Sequence, residues 1–254
     1  MLTFGSLFAG IGGIDLGLER AGMRCAWQVE IDDYAQRVLT KHWPDVPRFR
    51  DVRNVGAGEL PRVDIIAGGF PCQDISASGP RVGLSGERSG LWFEYARIIR
   101  ELRPRYVLVE NVSDLLYRGV DRVLGDLAAL GFNAEWEVIS ACAVGAPHAR
   151  ERLFILAYAQ STEWGPLSAA RRRMDYTHDG VFQRKESASW LEQRSQEVGW
   201  GTWANQSRMG RVAHGVPARM DRLSGLGNAV VPQVAELVGR AIVAFDGEAA
   251  NASQ

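Results

Sequence analysis

The 254-residue chain is short of cysteine, of net charge and of long apolar runs, and each shortage bears on what it can be. Its three cysteines, Cys25, Cys72 and Cys142, are odd in number and widely spaced. They make neither a disulfide framework nor a CxxC metal site, so no metal is expected and a reducing cytoplasm is the expected compartment. No stretch approaches the roughly 18 consecutive apolar residues of a membrane span, and no membrane partner is expected. Met1-Leu2-Thr3-Phe4 runs into a glycine-rich turn with no basic leader, so no signal peptide is expected. The net charge of −1 neither requires nor forbids a nucleic-acid partner. No internal repeat is visible. What remains, 46% hydrophobic and 23% charged, is ordinary for a globular protein of one large α/β domain, with or without a small appendage.

The most informative stretch is Val63-Asp64-Ile65-Ile66-Ala67 followed by Gly68-Gly69-Phe70-Pro71-Cys72-Gln73. An apolar run with two isoleucines, stopped by Gly-Gly, predicts a short buried strand. The proline-stiffened turn behind it carries a thiol. In a parallel sheet that turn lies at the carboxyl edge, where open α/β sheets bind ligands. A cysteine held there has the rigidity a nucleophile needs, although an isolated cysteine is also common as core filler.

Around this stretch the chain predicts an alternation of strands and helices. Residues 2–8 read as a first strand, followed by the turn Ala9-Gly10-Ile11-Gly12-Gly13 and a helix over 14–20. Such a turn lets backbone approach a nucleotide-like ligand, or simply packs tightly; Asp15 stands where a dinucleotide motif has its third glycine. A second strand, 25–30, ends in Glu30, which follows Gly12 by nearly the ~20-residue offset of a ribose-binding acid. The same residue would also serve as a solvated strand-end carboxylate. A helix over 33–42 has Asp32 as its N-cap. Asp51-Val52 then stands at a further edge, where an acid could accept from an adenine amino group.

Residues 74–90 lack apolar period and suit a lid or binding loop. Leu91–Arg103 is an amphipathic helix ended by Pro104, and 105–109 is a buried strand ending in Glu110-Asn111-Val112. An acid in apolar surroundings can carry a proton near neutrality, or can simply be a paired structural carboxylate. A helix over 118–131 capped by Gly131, and strands over 134–140 and 152–157, continue the alternation. Arg150 and Arg152, at i and i+2, face one way if their segment is extended, and offer planar donors to an oxo group; the alternative is a solvated pair. Residues 160–205 mix tryptophans with basic side chains, which suits nucleic acid or an irregular loop region. A helix over 234–245 should dock on the sheet, and the segment 247–254 should fray.

Taken together, these residues carry a resemblance. Phe8-Ala9-Gly10-Ile11-Gly12-Gly13, Gly69-Phe70-Pro71-Cys72-Gln73, Glu110-Asn111-Val112, Arg150-Glu151-Arg152 and Gly227-Asn228-Ala229-Val230-Val231-Pro232 are similar, in order and end to end, to the motifs of C5-cytosine DNA methyltransferases of bacterial or phage type. The resemblance implies a doubly wound, mostly parallel α/β sheet (a Rossmann-like methyltransferase fold) with a small irregular target-recognition region. Residues 1–158 would form the catalytic domain, 159–222 the recognition region, 223–246 a segment returning to the catalytic domain, and 247–254 a flexible tail.

The same resemblance implies methyl transfer from S-adenosyl-L-methionine to carbon 5 of a cytosine flipped out of duplex DNA. Cys72 would be the covalent nucleophile, Glu110 would act on N3 and the amino group, Arg150 would hold the carbonyl oxygen, and Arg152 would support the thiol's neighbourhood. Cofactor contacts would come from Phe8, Gly10, Ile11, Gly12 and Gly13 at the methionine end, Glu30 and Ile31 at the ribose, and Asp51 and Val52 at the adenine. Pro71, Leu91, Asn228 and Val230 would form the walls. Gln73, Ser76, Ser78, Arg81 and Arg88 would meet DNA. A cognate restriction endonuclease is an implied partner, and a monomer is expected. Two departures stand out: His148 replaces the family's usual glutamine, which implies altered orientation rather than lost activity, and the variable region is short. A tRNA cytosine-5 methyltransferase and a catalytically silent DNA-binding relative are the competing readings, with a nicotinamide-dependent dehydrogenase more distant.

Overall fold

The structure is a computed structural model and describes residues 1–71, 91–159, 225–226 and 228–252. Seven strands form one sheet: β1 (Thr3–Leu7), β2 (Arg24–Val29), β3 (Arg48–Phe49), β4 (Ile65–Gly68), β5 (Tyr106–Asn111), β6 (Phe132–Ser140) and β7 (Glu151–Ala159). Their spatial order is β3-β2-β1-β4-β5-β7-β6. The β1–β2, β1–β4, β2–β3 and β4–β5 pairs are parallel, whereas β7 runs antiparallel to both β5 and β6. From the β1/β4 seam the chain winds outward in both directions, which creates a crevice at the carboxyl ends of those two strands.

Strand patterning explains why the sheet is covered on both sides. In β4 and β5, successive residues Ile65, Ile66 and Ala67, and Val107, Leu108 and Val109, are all fully buried. Alternate side chains point to opposite faces, so such runs demand a layer on each. Ile66, Val107 and Val109 pack with Trp92, Tyr95, Ile98 and Ile99 of helix α3 (Leu91–Leu102). Ile65, Ala67 and Leu108 pack instead with Ile14 and Leu18 of α1 (Gly13–Arg20) and Leu39 of α2 (Asp33–His42). Asp32 caps α2, its carboxylate accepting from the Ala35 N–H at 2.8 Å.

Three differences from the sequence reading have local causes. The helix expected over 118–131 is α5 (Val120–Ala129), set off at Gly119, with φ 160°, from a short unexpected helix α4 (Leu115–Arg118) before it. Glu110 lies within β5 rather than after it, because the antiparallel pairing with β7 carries the strand on to Asn111. The final helix, α6 (Pro232–Ala252), runs past Phe245, so the segment expected to fray from Gly247 is helical as far as Ala252.

The α1–α6 contact ties the end of the chain to its beginning. Gly17 faces the Pro232 carbonyl and Ala235 so closely that a Cβ would overlap both. Any larger residue must push the helices apart, and overpacking of this kind costs about 1–3 kcal/mol. Gly17→Ala should therefore lower the urea midpoint with an unchanged slope, as measured by circular dichroism.

Candidate active site

The crevice at the β1/β4 seam opens into a cavity of about 800 Å3, within the ~300–1,000 Å3 range of small-molecule sites. Its floor is the turn after β1. Phe8 takes φ 55°, a left-handed conformation costly for a bulky residue and typical of ligand clamps. Its ring stacks on Tyr95 at 6.3 Å between centroids. Glu30, just beyond β2, organises the turn: Oε2 accepts from the Gly10 N–H at 2.6 Å and Oε1 from the Asp32 N–H at 2.8 Å. Each oxygen keeps a further acceptor position for a ligand hydroxyl.

Most of the residues expected on the cofactor side meet here. Phe8, Gly10, Ile11, Gly13, Glu30 and Ile31 line the cavity, as do Asp51, Val52, Pro71, Leu91, Asn228 and Val230. Gly12 does not line it. Gly12 caps α1 with φ 83°, and a Cβ there would meet the Trp43 ring at 2.5 Å, so its smallness serves packing. The late segment closes the cavity because backbone touches backbone: a Cβ at Gly13 would overlap the Val230 carbonyl. The Asp51 carboxylate is already engaged, gripped by Arg53 at 2.7 Å and capping the turn Val52–Asn54 through the Arg53 N–H. An adenine amino group would have to share it.

At the other end of the cavity, Glu110 of β5 is buried, and loss of water pushes its carboxyl up to about 7 against the opposing pull of Arg152 and Arg150. Arg152 Nε meets Glu110 Oε1 at 2.8 Å. Both arginines are felt by Glu110, and Arg152 lands on the acid itself. Arg150 is different: its Nε and Nη2 atoms are buried and, among the described residues, have no hydrogen-bond partner. Burial and the neighbouring Arg152 pull its guanidinium below the usual value, with Glu110 opposing. His148 is exposed.

Gly69 is the hinge between the two halves. Its Cα lies against Glu110 so closely that a Cβ would overlap Oε2. Asn111, missed in the sequence reading except as motif context, donates from Nδ2 to the Phe70 carbonyl at 3.2 Å and accepts from the Val112 N–H at 2.9 Å. It thereby fixes the chain two residues before Cys72. Tyr34 and Arg53 also line the cavity and were not anticipated; both face it from helical turns whose polarity looks like ordinary surface. Cys72, Gln73, Ser76, Ser78, Arg81 and Arg88 lie outside the described residues.

Seven strands in this order, with one antiparallel member and a cavity at the carboxyl edge of the seam, define a Rossmann-like methyltransferase fold. Residues 2–206 match the sequence profile of the C-5 cytosine-specific DNA methylases, and the chain belongs to that family. The Type II methyltransferase M.DsaV of Dactylococcopsis salina is 36% identical over 163 residues, covering 62% of this chain and 46% of its own. M.HhaI of Haemophilus parahaemolyticus, another Type II methyltransferase, is 35% identical over 161 residues, covering 62% and 49%. Among solved structures, a DNA modification methyltransferase encoded within an E. coli prophage superposes with a TM-score of 0.54 at 28% identity, covering 63% of this chain and 47% of that one. The Dnmt2 methyltransferase of S. pombe, at 18% identity and TM-score 0.56 over 74% of this chain and 58% of its own, shares the fold. The chain spans about half the length of the curated relatives it matches.

The Glu110 environment makes a signed prediction. Its carboxyl titrates near 7 in the fold against an ordinary value of 4.5, so the folded state holds the proton more tightly. That contribution is fully present below 4.5 and is lost as pH rises through about 7. Glu110→Gln should flatten the decline in urea stability across this window. Arg152→Met should move the Glu110 titration upward, read by carboxyl-carbon NMR; an unchanged or lowered value would contradict the pairing.

Proposed function

We propose that this chain is a DNA (cytosine-5-)-methyltransferase acting from S-adenosyl-L-methionine on a cytosine flipped out of duplex DNA. The observation that carries the reading is Glu110: a buried carboxyl titrating near 7, paired to Arg152, in the cavity that Pro71 also lines. The cavity suits the cofactor, with glycine-lined backbone at Gly10 and Gly13, an acid at Glu30 with acceptor positions to spare, and apolar walls at Ile31, Val52 and Leu91. When bound, S-adenosyl-L-methionine supplies an electrophilic methyl group.

The residues of the chain divide the base chemistry. The Cys72 thiolate adds to carbon 6 of cytosine, forming a sulfur–carbon bond and making carbon 5 electron-rich, so one hard step becomes two easier ones. Glu110, protonated near neutrality, shares its proton with ring N3 as charge builds there. Arg152 holds Glu110 in place and limits how far its titration rises. Arg150, a desolvated guanidinium with spare donors, takes the carbonyl oxygen of the base. After transfer, a water molecule acting as base takes the carbon-5 proton, the electron pair left behind re-forms the 5,6 double bond, and the sulfur–carbon pair departs on sulfur as the thiolate. Glu110 and Arg150 can reach these atoms only in an unstacked base.

Residues 159–222 would read the DNA sequence, 223–246 would return to close the cavity, and Gln73, Ser76, Ser78, Arg81 and Arg88 would contact the strand around the gap. The Type II names of the relatives support a cognate restriction endonuclease as partner. We place the enzyme in the cytoplasm as a monomer.

DNA containing 5-fluorocytosine should trap the native chain as a covalent adduct in the presence of S-adenosyl-L-methionine, because fluorine cannot leave as the proton does. The adduct should vanish in Cys72→Ser. No adduct from the native chain would favour a silent DNA-binding relative, and labelled methyl entering only tRNA would favour a tRNA methyltransferase.

A further inference from the structure

Asp15 is fully buried, lies in the first turn of α1 and does not line the cavity. Three strands and helices meet on its carboxylate. Ser6 Oγ of β1 donates to Oδ2 at 2.9 Å, and Gln28 Nε2 of β2 donates to Oδ1 at 2.8 Å. The Cys25 thiol lies 3.9 Å from Oδ1. Gln28 extends the network: its Oε1 accepts from Arg48 Nη1 at 3.1 Å, and the same nitrogen donates to the Trp43 carbonyl at 2.6 Å, at the end of α2.

We infer that Asp15 is a positioning residue for the cofactor, holding β1, α1 and β2 in the register that presents the Gly10–Gly13 turn and Glu30 to the cavity. This rests on the cofactor assignment proposed above. The elements tied by the carboxylate are those that carry the ligand-facing groups: β1 leads to Phe8 and Gly10, α1 begins at Gly13, and β2 leads to Glu30. The Gly10–Glu30 hydrogen bond spans the same two strand ends that Ser6 and Gln28 join from below.

The energetics agree with a geometric role. A buried carboxylate is expensive, and burial pushes this one up to about 6 despite two side-chain donors. An apolar residue in its place would avoid that cost but would accept nothing from Ser6 or Gln28. Two donors converging on one acceptor fix direction as well as distance, which apolar packing does not.

Titration calorimetry with S-adenosylhomocysteine, together with steady-state kinetics, tests the assignment. Asp15→Ala should weaken binding about tenfold or more and raise the KM for S-adenosyl-L-methionine, with kcat and DNA affinity within about threefold of native. Asp15→Asn should restore binding, since its amide can accept from Gln28 and donate to Ser6. Should Asp15→Ala fail to fold, Gln28→Met removes one donor at similar volume and should weaken binding about threefold or more. Binding by Asp15→Ala or Gln28→Met equal to native, a loss confined to kcat, or no rescue by Asn would overturn the inference. A native chain that binds no S-adenosylhomocysteine would overturn the cofactor reading instead.

Discussion

The constraint on which the site depends is the reversal of one strand. In a parallel sheet only the last residue or two of each strand reach the carboxyl edge. Because β7 runs antiparallel to β5, its first residues start at that edge, and Glu110 and Arg152 come together at 2.8 Å across the β5–β7 pair. A parallel strand in this place would send its leading residues to the far side of the sheet. The pairing also sets the electrostatics. Without a cation, a carboxyl this buried would rise further and stay neutral; with one in water-like surroundings, it would ionise fully. Burial and Arg152 oppose each other and leave Glu110 close to 7, where a group can both give and hold a proton.

The cofactor side depends on close backbone approach. Gly13 touches the Val230 carbonyl, Gly68 touches the Leu7 carbonyl, and Gly17 touches that of Pro232, each at a distance a Cβ would forbid. The first and last thirds of the chain thereby form one wall. α6 does not merely cover the sheet: docked on α1, it sets where Asn228 and Val230 stand over the cavity. The glycines of the first turn do separate jobs, with Gly10 and Gly13 lining the cavity and Gly12 under Trp43.

Much of this was legible from residues whose signal is local. The capped helix from Asp33 to His42 follows from Asp32, and β4 and β5 follow from their unbroken apolar runs. The motif resemblance then assembled most of the cavity wall. What stayed hidden depends on partners distant in sequence. Nothing near Asn111 says that its amide holds the Phe70 carbonyl, 41 positions away. Asp51 looked free because its partner, Arg53, reads as ordinary surface charge. Asp15 looked like a disrupted glycine motif, and only the fold brings Ser6 and Gln28 to it. The break at Gly119 was missed because the apolar period continues across it, while the backbone there, at φ 160°, does not.

Arg150 shows how an unmet need can locate a substrate. A buried guanidinium normally finds acceptors, because leaving charged donors dry and unpaired costs more than a neutral group would. Among the described residues, Nε and Nη2 of Arg150 have none, although Glu110 lies close enough to be felt. Glu110 Oε1 is engaged by Arg152 Nε, and Arg150 keeps donors to spare beside that pair. On the proposed reading the acceptor arrives with the ligand, since a base carbonyl beside a ring nitrogen would present an acceptor and a proton-seeking atom side by side. On the proposed reading, Arg150 and protonated Glu110 would form the matching pair of donors, and the base would complete the site.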